Sequence, residues 1–242
     1  MKVVAIIQAR MGSTRLPGKV MMDLAGEPML ARVVNRTRRA RSISKLVVAT
    51  TTQSSDDAIE NLCRSQGWFC FRGSTDDVLD RYYQAALAHD AAVVVRITSD
   101  CPLMDPTVVD RVVEEFQGRQ PGVDYASNAF PTRSYPRGLD TEVMSFDALR
   151  RAWVDDKDAA TREHVTPYIQ RHPDRFRVHG ITCEADHSDL RWTVDTPEDL
   201  RFARCVYDHF GDDRFSWVEV INVLEQHPEW SRINQHIRQK TV

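Results

Sequence analysis

No stretch of this sequence approaches the ~20 consecutive apolar residues of a membrane span. Its first residues run straight into a strand-like segment, without the apolar core and small-residue cleavage site of a secretory leader. It has no cationic excess either: 32 Lys and Arg face 35 Asp and Glu, a formal charge of −3. That balance argues against a general nucleic-acid binder or membrane-surface protein. Cysteine is sparse, and Cys63, Cys70, Cys101, Cys183 and Cys205 form no Cys-x-x-Cys pair and cannot all pair internally. A reduced, cytoplasmic protein without structural zinc is expected. Internal repeats and low-complexity segments are absent, and 242 residues suffice for one large α/β domain with a modest insertion.

Two familiar phosphate-binding signatures are missing. A Walker loop needs four residues between its glycines and a Ser or Thr after the Lys; here Gly12 and Gly18 enclose five, and Val20 follows Lys19. There is no Gly-x-Gly-x-x-Gly fingerprint of a dinucleotide fold. What stands in their place is Gln8-Ala-Arg-Met-Gly-Ser-Thr-Arg-Leu-Pro-Gly-Lys19. It follows Lys2–Ile7, whose apolar residues do not alternate, as in a strand buried on both faces. Glycines allow backbone N–H groups near a polyphosphate, and Arg10, Arg15 and Lys19 can neutralise its charge. The same composition also describes a solvated basic turn.

The rest of the chain reads as alternating strands and helices. Strands are expected at Leu46–Thr50, Trp68–Phe71 and Ala92–Thr98. Helices are expected after Pro28, after Ser55 and beyond the segment Arg72–Arg81. Arg32, Arg36 and Arg39 read as the solvated face of the first helix. The pattern implies a Rossmann-like, mostly parallel, doubly wound sheet. It loosens over about 120–181, with a strand-like Thr141–Ser145 and helices near Phe146–Val154 and Arg162–Arg171. This section reads as an inserted region over the sheet's carboxyl edge within one domain, 1–242. Regularity returns at Asp189–Asp195, before a helix entry at Thr196-Pro-Glu-Asp199. No chemistry is read in Ser216–Val242.

Two carboxylates carry the chemical argument. Asp100 closes the fourth strand in Arg96-Ile-Thr-Ser-Asp-Cys-Pro-Leu-Met-Asp105, where a turn-forming Asp before proline is also common. Asp195 precedes a helix cap that Thr196 and Asp199 already explain, leaving its own role open. Two carboxylates and the basic loop at one sheet edge form a ligand site, and two carboxylates with substrate phosphates are a usual way to hold magnesium.

The loop resembles the signature of the cytidylyltransferases that activate sugars as CMP or CDP derivatives, and the string Ile7–Lys19 is most similar to the SpsF-type branch. The sialic-acid and KDO (3-deoxy-manno-octulosonate) enzymes resemble it more distantly. Thr98-Ser-Asp-Cys-Pro-Leu103 and Val194-Asp-Thr-Pro-Glu-Asp-Leu200 resemble that family's two metal motifs. The resemblance implies in-line attack of an anionic, sugar-like acceptor on the α-phosphate of CTP, with release of pyrophosphate. Mg2+ would lie on Asp100 and Asp195, with Arg10, Arg15 and Lys19 on the phosphates. Gln8, Ala9, Gly12, Ser13, Ser74 and Arg81 would contact the nucleotide. Arg137, Asp140, Glu142, Glu163 and His164 would meet the acceptor, and strand alternation would put Asp140 and Glu142 on one face. A homodimer is implied by resemblance alone. Two alternatives stand: a nucleotide-sugar glycosyltransferase, whose Asp-x-Asp pair is approached only by Asp140-Thr-Glu142, and a non-catalytic nucleotide-binding module.

Overall fold

The computed structural model describes residues 1–239. Strand β1 (Val3–Gln8) leads through a 3-10 turn at Lys19–Met21 and a small hairpin, β2 (Asp23–Leu24) and β3 (Glu27–Pro28), into helix α1 (Met29–Thr37). β4 (Lys45–Thr51), α2 (Asp57–Gln66), β5 (Phe69–Gly73), α3 (Val78–Ala88) and β6 (Val93–Thr98) complete the alternating half. Then come α4 (Pro106–Gly118), β7 (Tyr125–Ser127), β8 (Glu142–Ser145), α5 (Phe146–Asp155), α6 (Ala159–His164), α7 (Pro167–Arg171) and β9 (Val178–Gly180). Helices α8 (Pro197–Phe210), α9 (Trp217–Gln226) and α10 (Pro228–Ser231) finish the fold. Among the described residues no helix is long and apolar enough to cross a membrane.

One seven-stranded sheet has the order β5-β4-β1-β6-β8-β7-β9. All neighbours pair parallel except at β8, which is antiparallel to both β6 and β7. This is the expected mostly parallel, doubly wound architecture. The section 120–181 contributes β7, β8 and β9 to that sheet as well as the helices α5–α7.

The apolar run of β1 serves two cores at once. Val3, Ala5 and Ile7 pack with Leu30 and Val33 of α1, Ile59 of α2 and Val112 and Phe116 of α4. Val4 and Ile6 pack on the opposite face with Leu79 and Tyr82 of α3 and Leu149 of α5. Each side chain removed from water contributes ~1.5–3 kcal/mol, so a central strand read from both sides has no solvent face to keep polar. A third cluster joins Leu24 and Met29 to Trp192, Phe202 and Val206, docking α8 beside the sheet.

Three local expectations change. Arg36 is fully buried and donates to the carbonyls of Met104 (2.6 Å), Asp213 (2.5 Å) and Phe215 (2.8 Å), because the segment before α4 and the connection between α8 and α9 cover this face of α1. Residues 162–171 do not form one helix. Val165 breaks it with φ +72°, a region costly for a β-branched residue, and Pro167 restarts it. Asp189–Asp195 adds no strand to the sheet; it meets Arg137 through the bonds Arg137 N–Leu190 O (2.9 Å) and Trp192 N–Arg137 O (2.7 Å). Helix α4, not anticipated, carries its signal openly: Asp105 accepts from Thr107 N at 2.8 Å with Pro106 behind it.

Candidate active site

The basic loop leaves β1 at its carboxyl end and is pinned there from outside. Met11 N donates to Asp56 Oδ1 at 2.7 Å, and Gly18 N returns to Met11 O at 3.0 Å. Gly18 has φ +71°, a left-handed turn that glycine makes without strain, and it delivers Lys19 to the edge of the sheet. Asp56 is thus a buried residue that shapes the loop; the sequence shows it only as part of a helix entry.

Asp100 and Asp195 meet although no strand pairing joins their segments. The Asp100 carbonyl accepts from Val194 N (2.8 Å) and from the Thr193 hydroxyl (3.2 Å). Lys19 Nζ sits between the two carboxylates, donating to Asp100 Oδ2 (3.0 Å), Asp195 Oδ1 (2.9 Å) and the Val194 carbonyl (2.8 Å). All three ammonium protons are therefore committed. Burial opposes the charge on Lys19, but the two aspartates outweigh it and hold its pKa above the usual range. Burial likewise opposes ionisation of Asp100, and the Lys19 ammonium overcomes it, holding that carboxyl below the usual range. The second oxygen of Asp195 takes Arg15 (2.9 Å) and Arg191 (3.0 Å).

Around this junction lies a cleft of two lobes. The first, about 360 Å³, is lined by Gln8, Ala9, Arg10, Gly12, Ser13, Arg15, Lys19 and Arg81, with Glu163 at its rim. The second, about 410 Å³, is lined by Arg96, Arg137, Asp140, Thr166, Gln170, Thr193 and Gln239. Gln8, Arg15, Thr98, Asp100, His164 and Asp195 belong to both. Three buried polar atoms on these walls have no protein partner among the described residues: Gln8 Oε1, Arg81 Nε and Arg96 Nε.

Most residues expected to touch a ligand thus line one cleft, and two do not. Ser74 lies outside both lobes; its hydroxyl accepts from Asp77 N (3.1 Å) and its carbonyl from Arg81 (2.5 Å), so it holds the entry of α3 and the Arg81 side chain. Glu142 is 6% exposed and lines neither lobe. It is taken by Arg96, by the Tyr125 hydroxyl (2.5 Å), by Thr166 (2.6 Å) and by Gln170 (3.3 Å). The alternation that grouped it with Asp140 does not apply, since β8 begins at Glu142 and Asp140 sits in the preceding loop, held by Arg133 at 2.5 and 2.7 Å. Glu163 faces the first lobe, paired with Arg10 at 3.2 Å.

Arg137 reaches the second lobe because Gly138 lets its backbone lie against Trp192 and Thr193. A Cβ there would stand 2.7 Å from Thr193 N, at φ +111°. The Arg137 side chain has no ion pair among the described residues.

Once Lys19 gives up its place between Asp100 and Asp195, the hard oxygen donors of the two suit a divalent cation that substrate phosphates would complete. Among the described residues no group of three or more His, Cys, Asp or Glu could hold a metal without them. Sequence reasoning missed Arg191, Asp199, Asn234 and Gln239. Asp199 is fully buried and accepts from Arg191 (2.8 and 3.0 Å), Asp195 N (3.0 Å), Thr196 N (3.0 Å) and Asn234 (2.9 Å). The cap signature was visible, but its second use, as counter-charge to Arg191, had no sequence signal.

The chain is 34% identical over 238 residues to the spore coat polysaccharide biosynthesis protein SpsF of Bacillus subtilis, covering 94% of this chain and 95% of that one. Over 125 residues it is 40% identical to the 3-deoxy-manno-octulosonate cytidylyltransferase of Trichlorobacter lovleyi, covering 51% of this chain and 48% of that one. The solved cytidylyltransferase of Leptospira borgpetersenii superposes with a TM-score of 0.92 at 33% identity, each chain covered completely. The cytidylyltransferase family model matches residues 4–227, so with its loop, paired aspartates and divided cleft this chain belongs to the cytidylyltransferase family.

Proposed function

We propose that this enzyme transfers the cytidylyl group of CTP to a sugar acid in surface polysaccharide or glycoconjugate biosynthesis, releasing pyrophosphate. The observation that carries the reading is the meeting of two lobes at Asp100 and Asp195, which Lys19 bridges from the first. The first lobe offers three cations and a glycine-bearing loop to a triphosphate, and the second offers an unpaired guanidinium to an anionic acceptor. Relatives that include a 3-deoxy-manno-octulosonate cytidylyltransferase support the acceptor class.

In this reading an acceptor oxygen held in the second lobe attacks the α-phosphorus in line. A new P–O bond forms as the bond to the β-phosphate's bridging oxygen breaks. Such a step depends on positioning and charge neutralisation. Arg10, Arg15 and Lys19 stabilise the charge that grows on the leaving pyrophosphate. Gln8 and Ala9 face the base and Arg81 the ribose side, with Gly12 and Ser13 supplying backbone to the phosphates. Arg137, Asp140 and His164 orient the acceptor. Mg2+ held by Asp100 and Asp195 would polarise the α-phosphate when bound. Lys19 must then leave the space between those carboxylates, and the incoming phosphates give its ammonium new partners. The proposal extends to a cytoplasmic homodimer, with 120–181 as its acceptor and dimerisation region; sedimentation checks the dimer.

The deciding experiment follows pyrophosphate release from CTP and Mg2+ across a panel of sugar acids that includes 3-deoxy-manno-octulosonate. Release that requires one of them and vanishes in Asp100→Ala is expected. Release indifferent to every acceptor, or equal in the variant, defeats the reading.

A further inference from the structure

The chain beyond α10 returns to the cleft. Asn234, 1% exposed, donates to Arg191 O (2.9 Å) and to Asp199 Oδ1 (2.9 Å). Five residues on, Gln239 lines the second lobe and accepts from Arg191 Nη1 at 2.6 Å. The same guanidinium uses Nε and Nη2 on Asp199 (2.8 and 3.0 Å) and Nη2 on Asp195 Oδ2 (3.0 Å).

A guanidinium is planar and its donors are fixed in one fork. Arg191 cannot follow a displaced Gln239 without turning its other nitrogens away from Asp195 and Asp199. The bonds of Arg191 to Asp195 and Asp199 are buried, whereas its bond to Gln239 lies at the wall of the lobe. The bond from Arg191 uses the Gln239 carbonyl oxygen. Its NH2 group has no protein acceptor among the described residues and is left to donate to whatever fills the lobe.

We infer that Gln239 is a specificity-determining contact for the acceptor, and that Arg191 is a positioning residue linking Gln239 to Asp195. The inference rests on the second lobe being the acceptor site. The chemistry it fits is an acceptor oxygen, carboxylate or hydroxyl, that takes a hydrogen bond from the Gln239 amide. An acceptor that leaves Gln239 in place keeps the fork on Asp195. One that pushes it aside loses turnover as well as affinity. Substrate choice is thereby tied to the catalytic carboxylate by a segment at the opposite end of the chain from the nucleotide loop.

The test compares full-length wild type with Gln239→Ala, Gln239→Glu and Asn234→Ala. Acceptor KM and kcat are measured at saturating CTP with the sugar acids of the panel above, CTP affinity by calorimetry, and Tm alongside. Losing one donor in Gln239→Ala raises acceptor KM about tenfold. Gln239→Glu raises it further, because an acidic acceptor now meets a like charge. CTP affinity stays at the wild-type value in both, while kcat falls in Gln239→Ala, where Arg191 loses a partner, and stays closer to wild type in Gln239→Glu, which keeps an oxygen on Arg191, a split that a merely structural role would not give. Asn234→Ala loosens the segment without touching the lobe; it raises the same KM by less and lowers Tm. Unchanged acceptor KM in both Gln239 variants, with wild-type turnover intact, overturns the inference while leaving the function standing. A wild type inactive on every sugar acid defeats the acceptor reading and this inference with it.

Discussion

The two lobes of the cleft are built in opposite ways. The first is made largely from one contiguous loop at the end of the central strand, Gln8–Lys19, and the cations of that loop are all engaged, Lys19 with Asp100 and Asp195, Arg15 with Asp195 and Arg10 with Glu163, while Arg81 on the opposite wall donates to the Ser74 carbonyl. The second gathers single residues from separate segments. Its Arg96 and its neighbours Arg133 and Arg191 each have a carboxylate partner, while Arg137 has none among the described residues. The first lobe is a set of ion pairs ready to be exchanged for phosphates. The second holds most of its charge internally and leaves one guanidinium open. A site that must bind and release a polyphosphate benefits from counter-ions already at hand, since desolvated cations left unpaired are costly. A site that selects one acceptor benefits from a rigid wall with few open groups.

The largest test of this contrast lies where the lobes touch. Asp100→Ala should lower kcat/KM by about a thousandfold in a protein that still folds, with Tm lowered modestly because Lys19 loses one of its two carboxylates, measured by pyrophosphate release and calorimetry. A small loss would mean that the junction is not the centre of the chemistry. Lys19→Met comes next, at about a hundredfold in kcat/KM. It carries a second readout: with the ammonium gone, Asp100 and Asp195 should bind Mn2+ without nucleotide, whereas wild type should need CTP first. Equal metal binding in both proteins would show that Lys19 does not guard the carboxylates. Arg137→Ala is smaller, about tenfold in acceptor KM, with CTP affinity unchanged. A loss in CTP affinity instead would merge the two lobes into one.

The same contrast explains what the sequence made legible. Lys2–Ile7, Asp100 and the run Gln8–Lys19 could be placed because strand, loop and motif are continuous in the chain. The alternation of strands and helices then brought them to one edge. Glu142 could not be placed correctly from alternation, because that argument needs to know where β8 begins. The break at Val165 was hidden, since its backbone is imposed by packing that holds the residue fully buried. Arg36 and Gln239 share one reason: each finds its partner far along the chain, and a polar side chain carries no sign of whether its partner will be water or a carbonyl. Asp199 differs, since Arg191 lies only eight residues before it and is brought back by a turn without a sequence signature. Asp56 and the Asp105–Pro106 pair are different, for their cap chemistry was present and their consequences were missed.

The smallest effect concerns His164, which lines both lobes. Burial pushes its pKa below the ordinary 6.5, opposed by Glu163 and reinforced by Arg96, Arg10 and Arg171. The imidazole is therefore neutral at pH 7, so in the proposed role it would meet a ligand by hydrogen bonds rather than by charge. The sign of its pH dependence follows. Above pH 6.5 neither the folded nor the unfolded form of this residue is protonated, and it adds nothing. Below 6.5 the unfolded chain takes the proton first, so stability falls as pH drops towards the folded pKa and levels off beneath it. Asp100 behaves in a separate and lower window. Its depressed pKa stabilises the fold above the ordinary carboxylate value of 3.8, and that contribution is lost as pH falls through the folded value. Thermal melts between pH 7 and 5 should thus show a shallow loss of Tm that His164→Gln reduces, His89, also held below 6.5 by burial, supplying part of the rest, and that Asp100→Ala leaves in place. NMR should place the imidazole midpoint below 6.5, moving upward when the triphosphate of CTP brings negative charge into the first lobe. A midpoint unmoved by CTP would detach His164 from that lobe and leave it to the acceptor side alone.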